Sequence, residues 1–200
     1  MQIKFFLLFL SIQISTLSLF GQTKSNLEIF YSLTDSLADQ INSEIPLSEK
    51  KILLTLNLGQ SYSLFAGNIK DRFIKEGKEI FEQPTNELNI PQVDIVIEGV
   101  GTEYGETFRD GWFGPHYIQR YSTIFGNYFE PFSDAGKKDF EFTVIDTVKV
   151  EDLKFLENDS YPFTKGNIPS EPFLSGFAEP LIAIGTAAAV IVLFFTVRSE

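Results

Sequence analysis

Residues 93–129 read VDIVIEGVGTEYGETFRDGWFGPHYIQRYSTIFGNYF. The run VDIVIEG followed by Gly99, Gly101 and Gly105 approximates the glycine loop of a dinucleotide-binding fold, which would make the chain an enzyme. Such a loop needs a helix next, with its N-terminus facing the phosphate. None begins here. Asp110-Gly111 marks a turn, Gly114-Pro115 breaks the chain, and from Tyr117 to Phe129 a loose two-residue period returns. Tyr117, Tyr121, Phe125 and Phe129 share one face of that strand. The stretch therefore predicts a long antiparallel hairpin, Val93–Tyr104 with Tyr117–Phe129. Its glycines mark a bulge or a close backbone approach, and nucleotide binding is excluded.

Working outward, Asp139 to Val150 continues the alternation. Phe140, Phe142, Val144, Val148 and Val150 lie on one face and Glu141, Thr143, Thr147 and Lys149 on the other. Asp134-Ala135-Gly136 supplies the turn before it. Upstream, Phe30, Leu33, Leu37, Ile41 and Ile45 recur at helical steps, with Asn26 as a candidate cap and Pro46 as the stop. Lys50–Leu58 reads as a buried strand. Phe65, Ile69 and Phe73 mark a second helix within Ser61–Glu76, ended by Gly77. A short strand is expected at Lys78–Glu82, a connection at 83–91, and a helical turn within 151–158. This order predicts an α+β fold, a two-layer sandwich with two helices packed on one face of a mostly antiparallel sheet, plus one C-terminal transmembrane helix.

Both ends carry targeting patterns. Lys4 precedes an apolar run from Phe5 to about Leu10, the order of a secretory signal peptide, read as residues 1–21 with cleavage within 18–22. From Leu181 to Val197 there is no charge, and Arg198 follows. At ~1.5 Å per residue that run covers roughly 25 Å, near the lower limit for a span. The expected organisation is a periplasmic domain at 22–158, an extended connector at 159–172, a transmembrane helix at 173–197 and a cytoplasmic tail at 198–200. Arg198 sits inside by the positive-inside rule. A single helix anchor favours the inner membrane over the outer, whose spans are barrels. Gly185 and Ala189 form a small-xxx-small pair suited to helix–helix packing.

The chain has 200 residues, no cysteine, one histidine and a net charge of −11. An exported domain without cysteine stands on its hydrophobic core. The acidic balance argues against nucleic acid and against an anionic lipid surface, and it suits a basic protein partner. One histidine and no cysteine argue against a His/Cys metal site, a serine triad or a cysteine nucleophile. No cofactor is expected. The concentration of contact-forming residue types lies at the hairpin tip: Phe108, Arg109, Trp112, Phe113 and His116. Three functional readings follow. A non-catalytic interaction module exposes Phe108, Trp112 and Phe113 toward other envelope or membrane proteins. A small-ligand, peptide or glycan-binding domain places Tyr117, Tyr121 and Phe125 in a pocket between sheet and helices. A carboxylate-dependent hydrolase brings Glu98 together with Glu103 or Glu106.

In architecture the exported half resembles periplasmic α+β domains of envelope-assembly proteins, such as those of the curli secretion channel, the penicillin-binding-protein activators and the Tol-Pal translocation protein. In sequence, FRDGWFG (108–114), PFTKGNIPSEPF (162–173) and the segments EPLIAIG and LFFTVRSE of 179–200 resemble an uncharacterised group of short Gram-negative envelope proteins. That resemblance implies a signal peptide and a C-terminal helix, and it implies no activity and no site residues.

Overall fold

The structure is a computed structural model describing residues 23–84, 90–111, 114–132, 136–169 and 175–197; side chains of the last segment are described for 181–196. The expected signal peptide and the tail at 198–200 lie outside these residues.

Helix α1 (Asn26–Glu44) starts at a capping box: Ser25 accepts from the Glu28 amide while Glu28 reaches back to the Ser25 amide. The cap is therefore Ser25, one residue before the expected Asn26, whose side chain is used elsewhere. Strand β1 (Lys51–Asn57), helix α2 (Phe65–Lys75) and the short β2 (Glu79–Phe81) follow. The long β3 (Gln92–Arg109), β4 (His116–Phe129) and β5 (Lys137–Lys149) form a meander. A 3-10 turn (Val150–Asp152) leads into the single-turn helix α3 (Leu153–Leu156), then a second 3-10 turn (Pro162–Thr164) and helix α4 (Ser175–Val197).

The sheet order is β2-β1-β3-β4-β5. The fold class is α+β as expected, but the sheet is mixed, because β1 runs parallel to both β2 and β3 while the longer β3–β4 and β4–β5 pairs are antiparallel. The parallel pairs arise because α2 carries the chain from β1 back to the same end of the sheet before β2. Ile29, Leu37 and Ile41 of α1 and Phe65, Ile69 and Phe73 of α2 pack with Ile52, Val93, Ile95, Ile124 and Phe140 in one core, so both helices cover one face. They are tied to each other by Arg72, whose guanidinium grips the Asp39 carboxylate, and by Asn68, which donates to Thr34 and Asp35. A second cluster of Tyr104, Ile118 and Val148 is capped by Leu153 and Leu156 of α3.

The segment expected as an extended connector folds back in its described part. Phe163 sits edge-on to Phe30 and Tyr62 and beside Phe65. Helix α4 presents large apolar side chains to solvent from Leu181 to Phe195. Among the described residues no helix is long and apolar enough to cross a membrane.

The side of the sheet facing the helices also holds a buried cation. Arg120 is fully buried on β4, two residues from Ile118 and from Ser122. Its Nε and Nη2 donate to the Asp146 carboxylate on β5, at 2.8 and 2.5 Å. Its Nη1 donates to the Lys24 carbonyl and to Asn26 Oδ1. Asn26 in turn donates to the Tyr104 hydroxyl and to the Thr164 carbonyl. The guanidinium thus joins β4, β5 and the entry to α1, and Asn26 extends the network to β3 and the returning 3-10 turn.

Removing the cation takes their charged partner from Asp146 and from Asn26 Oδ1, so Arg120→Ala is expected to cost about 3 kcal/mol in a urea melt, the low end for a buried pair because the Asp146 side chain is 38 % exposed. Arg120→Met combined with Asp146→Leu, which removes both charges, is expected to recover most of that loss. Burial pushes the Tyr104 hydroxyl up to about 12, against the donation from Asn26 that works the other way. The neutral phenol is the form the fold prefers. Its stabilisation is therefore complete below pH 10, the ordinary tyrosine value, and is lost as pH rises through about 12. Absorbance at 295 nm should show a late phenol titration, together with loss of folded signal in circular dichroism, whose Tyr104 component is absent from Tyr104→Phe.

Candidate docking surface

At the hairpin tip, Gly111 takes φ 73°, the left-handed conformation that closes the turn. The Asp110 amide donates to the Pro115 carbonyl and Arg109 Nε to the Gly114 carbonyl. Phe108 stacks on Tyr117 with centroids 5.9 Å apart and is half exposed. Arg109 and His116 are the next cross-strand pair and so belong to the other face. His116 Nε2 is buried with no hydrogen-bond partner among the described residues. Trp112 and Phe113 lie outside the described residues. Of the five tip residues, Phe108 alone is placed on an exposed surface shared with the rest of the sheet.

That surface is the open face, turned away from the helices. Tyr117, Tyr121, Phe125 and Phe129 do share one face, but it is this one. A pocket between sheet and helices lined by Tyr117, Tyr121 and Phe125 is therefore ruled out: the positions of β4 turned to the core are Ile118, Arg120, Ser122, Ile124, Gly126 and Tyr128, all buried, while Asn127 is buried on the other side, bonded to Glu98. The four rings occur at every second outward position, with Gln119, Thr123 and Asn127 between them. Tyr121 donates to Gln119, and the hydroxyls of Thr123 and Thr143 bond across the strands at 2.9 Å.

Two bulges in β3 set this geometry. The register with β4 slips between Ile97 and Gly99 and again between Tyr104 and Thr107. Each slip inserts one extra residue and exchanges the faces. Val93, Ile95 and Ile97 point to the core before the first slip, and Val100, Thr102 and Tyr104 after it. Gly99 then lies opposite Phe125 on the open face. A Cβ there would fall 2.3 Å from the Phe125 ring, so the ring lies on the glycine backbone. On the same strand as Phe125, Gly126 lets the strands approach, since a Cβ would come within 2.1 Å of the Val96 carbonyl oxygen. Gly99 and Gly105 are thus bulge and contact residues, while Gly101 pairs regularly with Thr123.

Phe125 is 45 % exposed and stands between two hollows, both of which it lines together with Glu141. One, of about 650 Å³, also involves Glu98, Lys137 and Asp139. The other, of about 520 Å³, involves Tyr62, Gly101 and Glu103. Glu98 accepts from Asn127 Nδ2. Of the carboxylates considered for hydrolysis, Glu98 and Glu103 fall on opposite sides of the ring and Glu106 lines neither hollow. Among the described residues Lys137 is the one cation lining either hollow. The surface offers an aromatic platform rimmed by acids, a chemistry that attracts cations and flat apolar groups. Gly185 has open space around it, and neither it nor Ala189 is buried.

No protein-family model matches the chain, and no curated protein matches it. Solved structures similar to it include rare lipoprotein B from Shewanella oneidensis, with 9% identity, 74% of this chain and 96% of that chain covered, and a TM-score of 0.30. A minor lipoprotein from Acinetobacter baumannii gives 10% identity, coverage of 68% and 90%, and a TM-score of 0.33. At these scores the likeness carries no argument about fold or function.

Sequence reading missed the polar knot around Arg120. Its signal was present: Arg120 falls at a core position of β4, and Asp146 interrupts the apolar stripe of β5 two residues after Val144. For the platform, Gly126→Ala should cost about 2–3 kcal/mol because backbone must move. Gly99→Ala should cost nearer ~1 kcal/mol, since the Phe125 ring can rotate away. Thermal melts of the two variants, with the Phe125→Ala/Gly99→Ala pair as control, give the comparison.

Proposed function

We propose that this chain is an exported, membrane-anchored, non-catalytic interaction module of the bacterial cell envelope, a scaffold or accessory in envelope assembly or secretion. Export is supported by the signal pattern in residues 1–21 and by the absence of cysteine. Anchoring in the inner membrane is supported by the uncharged run Leu181–Val197 and by the outward-facing apolar side chains of α4. The observation that carries the binding role is Phe125, a half-exposed ring held flat on Gly99 between two acid-rimmed hollows.

A monomer gains nothing from leaving such a ring in water, and a partner with basic and apolar side chains covers it favourably. Phe108 lies on the same face and, with the tip residues Trp112 and Phe113, is proposed as its outer contact, while Arg109 and His116 belong to the other face. Gly185 and Ala189 are proposed as the helix-packing face within the membrane. A second reading rests on the same ring: a flat, exposed aromatic beside carboxylates also suits a sugar face, and titration calorimetry with soluble cell-wall fragments addresses it.

Affinity capture of the full-length chain from mild detergent tests the first reading. Phe125→Ala is expected to release the partners that wild type retains, with at least tenfold lower recovery, and Trp112→Ala to weaken them less. Partners unaffected by Phe125→Ala but lost in Gly185→Leu would move the contact from the sheet to the membrane helix.

A further inference from the structure

β5 is an outer strand of the sheet, and among the described residues nothing pairs with its free side. A free edge presents a row of unpaired N–H and C=O groups, which proteins guard with prolines, bulges or charges. The middle of β5 has no such guard. Lys137–Lys149 contains no proline, pairs with β4 without a register slip, and carries no charge from Phe142 to Ile145. Ile145 is 58 % exposed. Beside this edge a hollow of about 320 Å³ opens toward the first turns of α1, lined by Ile29, Ser32, Val144 and Thr147.

The charges at the two ends say what fits. Lys138 and Asp146 are already held, by Glu44 and Glu130 and by Arg120. Lys137 and Asp139 stand exposed at one end, with Lys149 and Glu151, 3.6 Å from each other, at the other. Glu141 is exposed as well, so the free charges along the strand run positive at 137, negative at 139 and 141, and positive at 149. Laid antiparallel on itself with Val144 opposite Val144, the strand sets Asp139 against the second copy's Lys149. Glu141 then faces the second copy's Thr147, and Lys137 lies beyond the end of that copy's strand. The ion pair occurs twice by symmetry. Centring on Thr143 instead would set Lys137 against Lys149. Centring on Ile145 would set Glu141 against Lys149 but shorten the overlap to 141–149, so the Val144 register is the longest one that sets no like charges opposite each other.

We propose that two copies of this chain join β5 to β5, antiparallel about a two-fold axis at Val144, into one continuous sheet. A two-fold axis normal to the sheet keeps both open faces on the same side, so the two Phe125 platforms form one surface.

The chain has no cysteine, so Val144→Cys introduces a unique thiol at the axis. The full-length variant in mild detergent, oxidised with copper phenanthroline, is expected to give a covalent dimer on a non-reducing gel. Ile74→Cys, exposed on α2, is expected to give none. Because Asp139 is exposed, Asp139→Lys should keep the fold, checked by circular dichroism. It should weaken association on the order of tenfold in sedimentation, with Asp139→Lys/Lys149→Asp restoring it. A monomer at all concentrations, or a dimer that Asp139→Lys leaves unchanged, overturns the proposal. The second of these results would assign association to α4.

Discussion

The arrangement of this domain depends on one buried guanidinium. Burying a charge costs several kcal/mol unless every donor is met. Around Arg120 two donors meet Asp146 and a third nitrogen meets the Lys24 carbonyl and Asn26. Those partners come from different parts of the chain, so the charge is satisfied in one arrangement only. It fixes where α1 begins relative to β4 and β5. The capping box at Ser25 leaves the Asn26 side chain free for this role. Through Asn26 the same constraint reaches Tyr104 and the Thr164 carbonyl, and the returning segment is locked against the edge of β3.

The far end of α1 is held by the same logic with the signs exchanged. Glu44 accepts from Lys138 and from the Tyr128 hydroxyl, and Lys138 also meets the buried Glu130. The two carboxylates raise the Lys138 pKa above its ordinary value, so the bridge is charged throughout the neutral range. A helix pinned at both ends over the meander leaves the opposite side of the sheet without a covering layer. The exposure of Phe125 and Ile145 is a consequence of that layering and needs no special device.

The bulges decide what the open side presents. Without the slip at Gly99, alternation would carry Ile97 and its successors of like parity to the core along all of β3, and Val100 would face water. The slip returns Val100 to the core and puts a glycine under Phe125. A motif that imitates a phosphate loop is in fact a phase change in a strand. Such a change is invisible to a two-residue period read across it, because the period is intact on either side.

The amino-acid sequence alone specified the elements and their class. The helical stripe from Phe30 to Ile45, the stripe from Phe65 to Phe73 and the alternation within β4 and β5 are local repeats, and burial followed the two helical stripes residue by residue. It also determined that Gly99, Gly101 and Gly105 belong to a strand, since no helix follows them. What only the tertiary structure decided was which face each strand turns to the helices. The stripe of Tyr117, Tyr121, Phe125 and Phe129 looks more apolar than its alternate, which contains Arg120 and Ser122, yet the alternate is buried. A carboxylate from β5 and an amide from α1 make that burial affordable, and both arrive from distant sequence. Likewise the parallel placement of β1 beside β3 follows from the path of α2 over the sheet. Local periodicity reports that a side is apolar; only the assembled partners settle whether a charge can go inside.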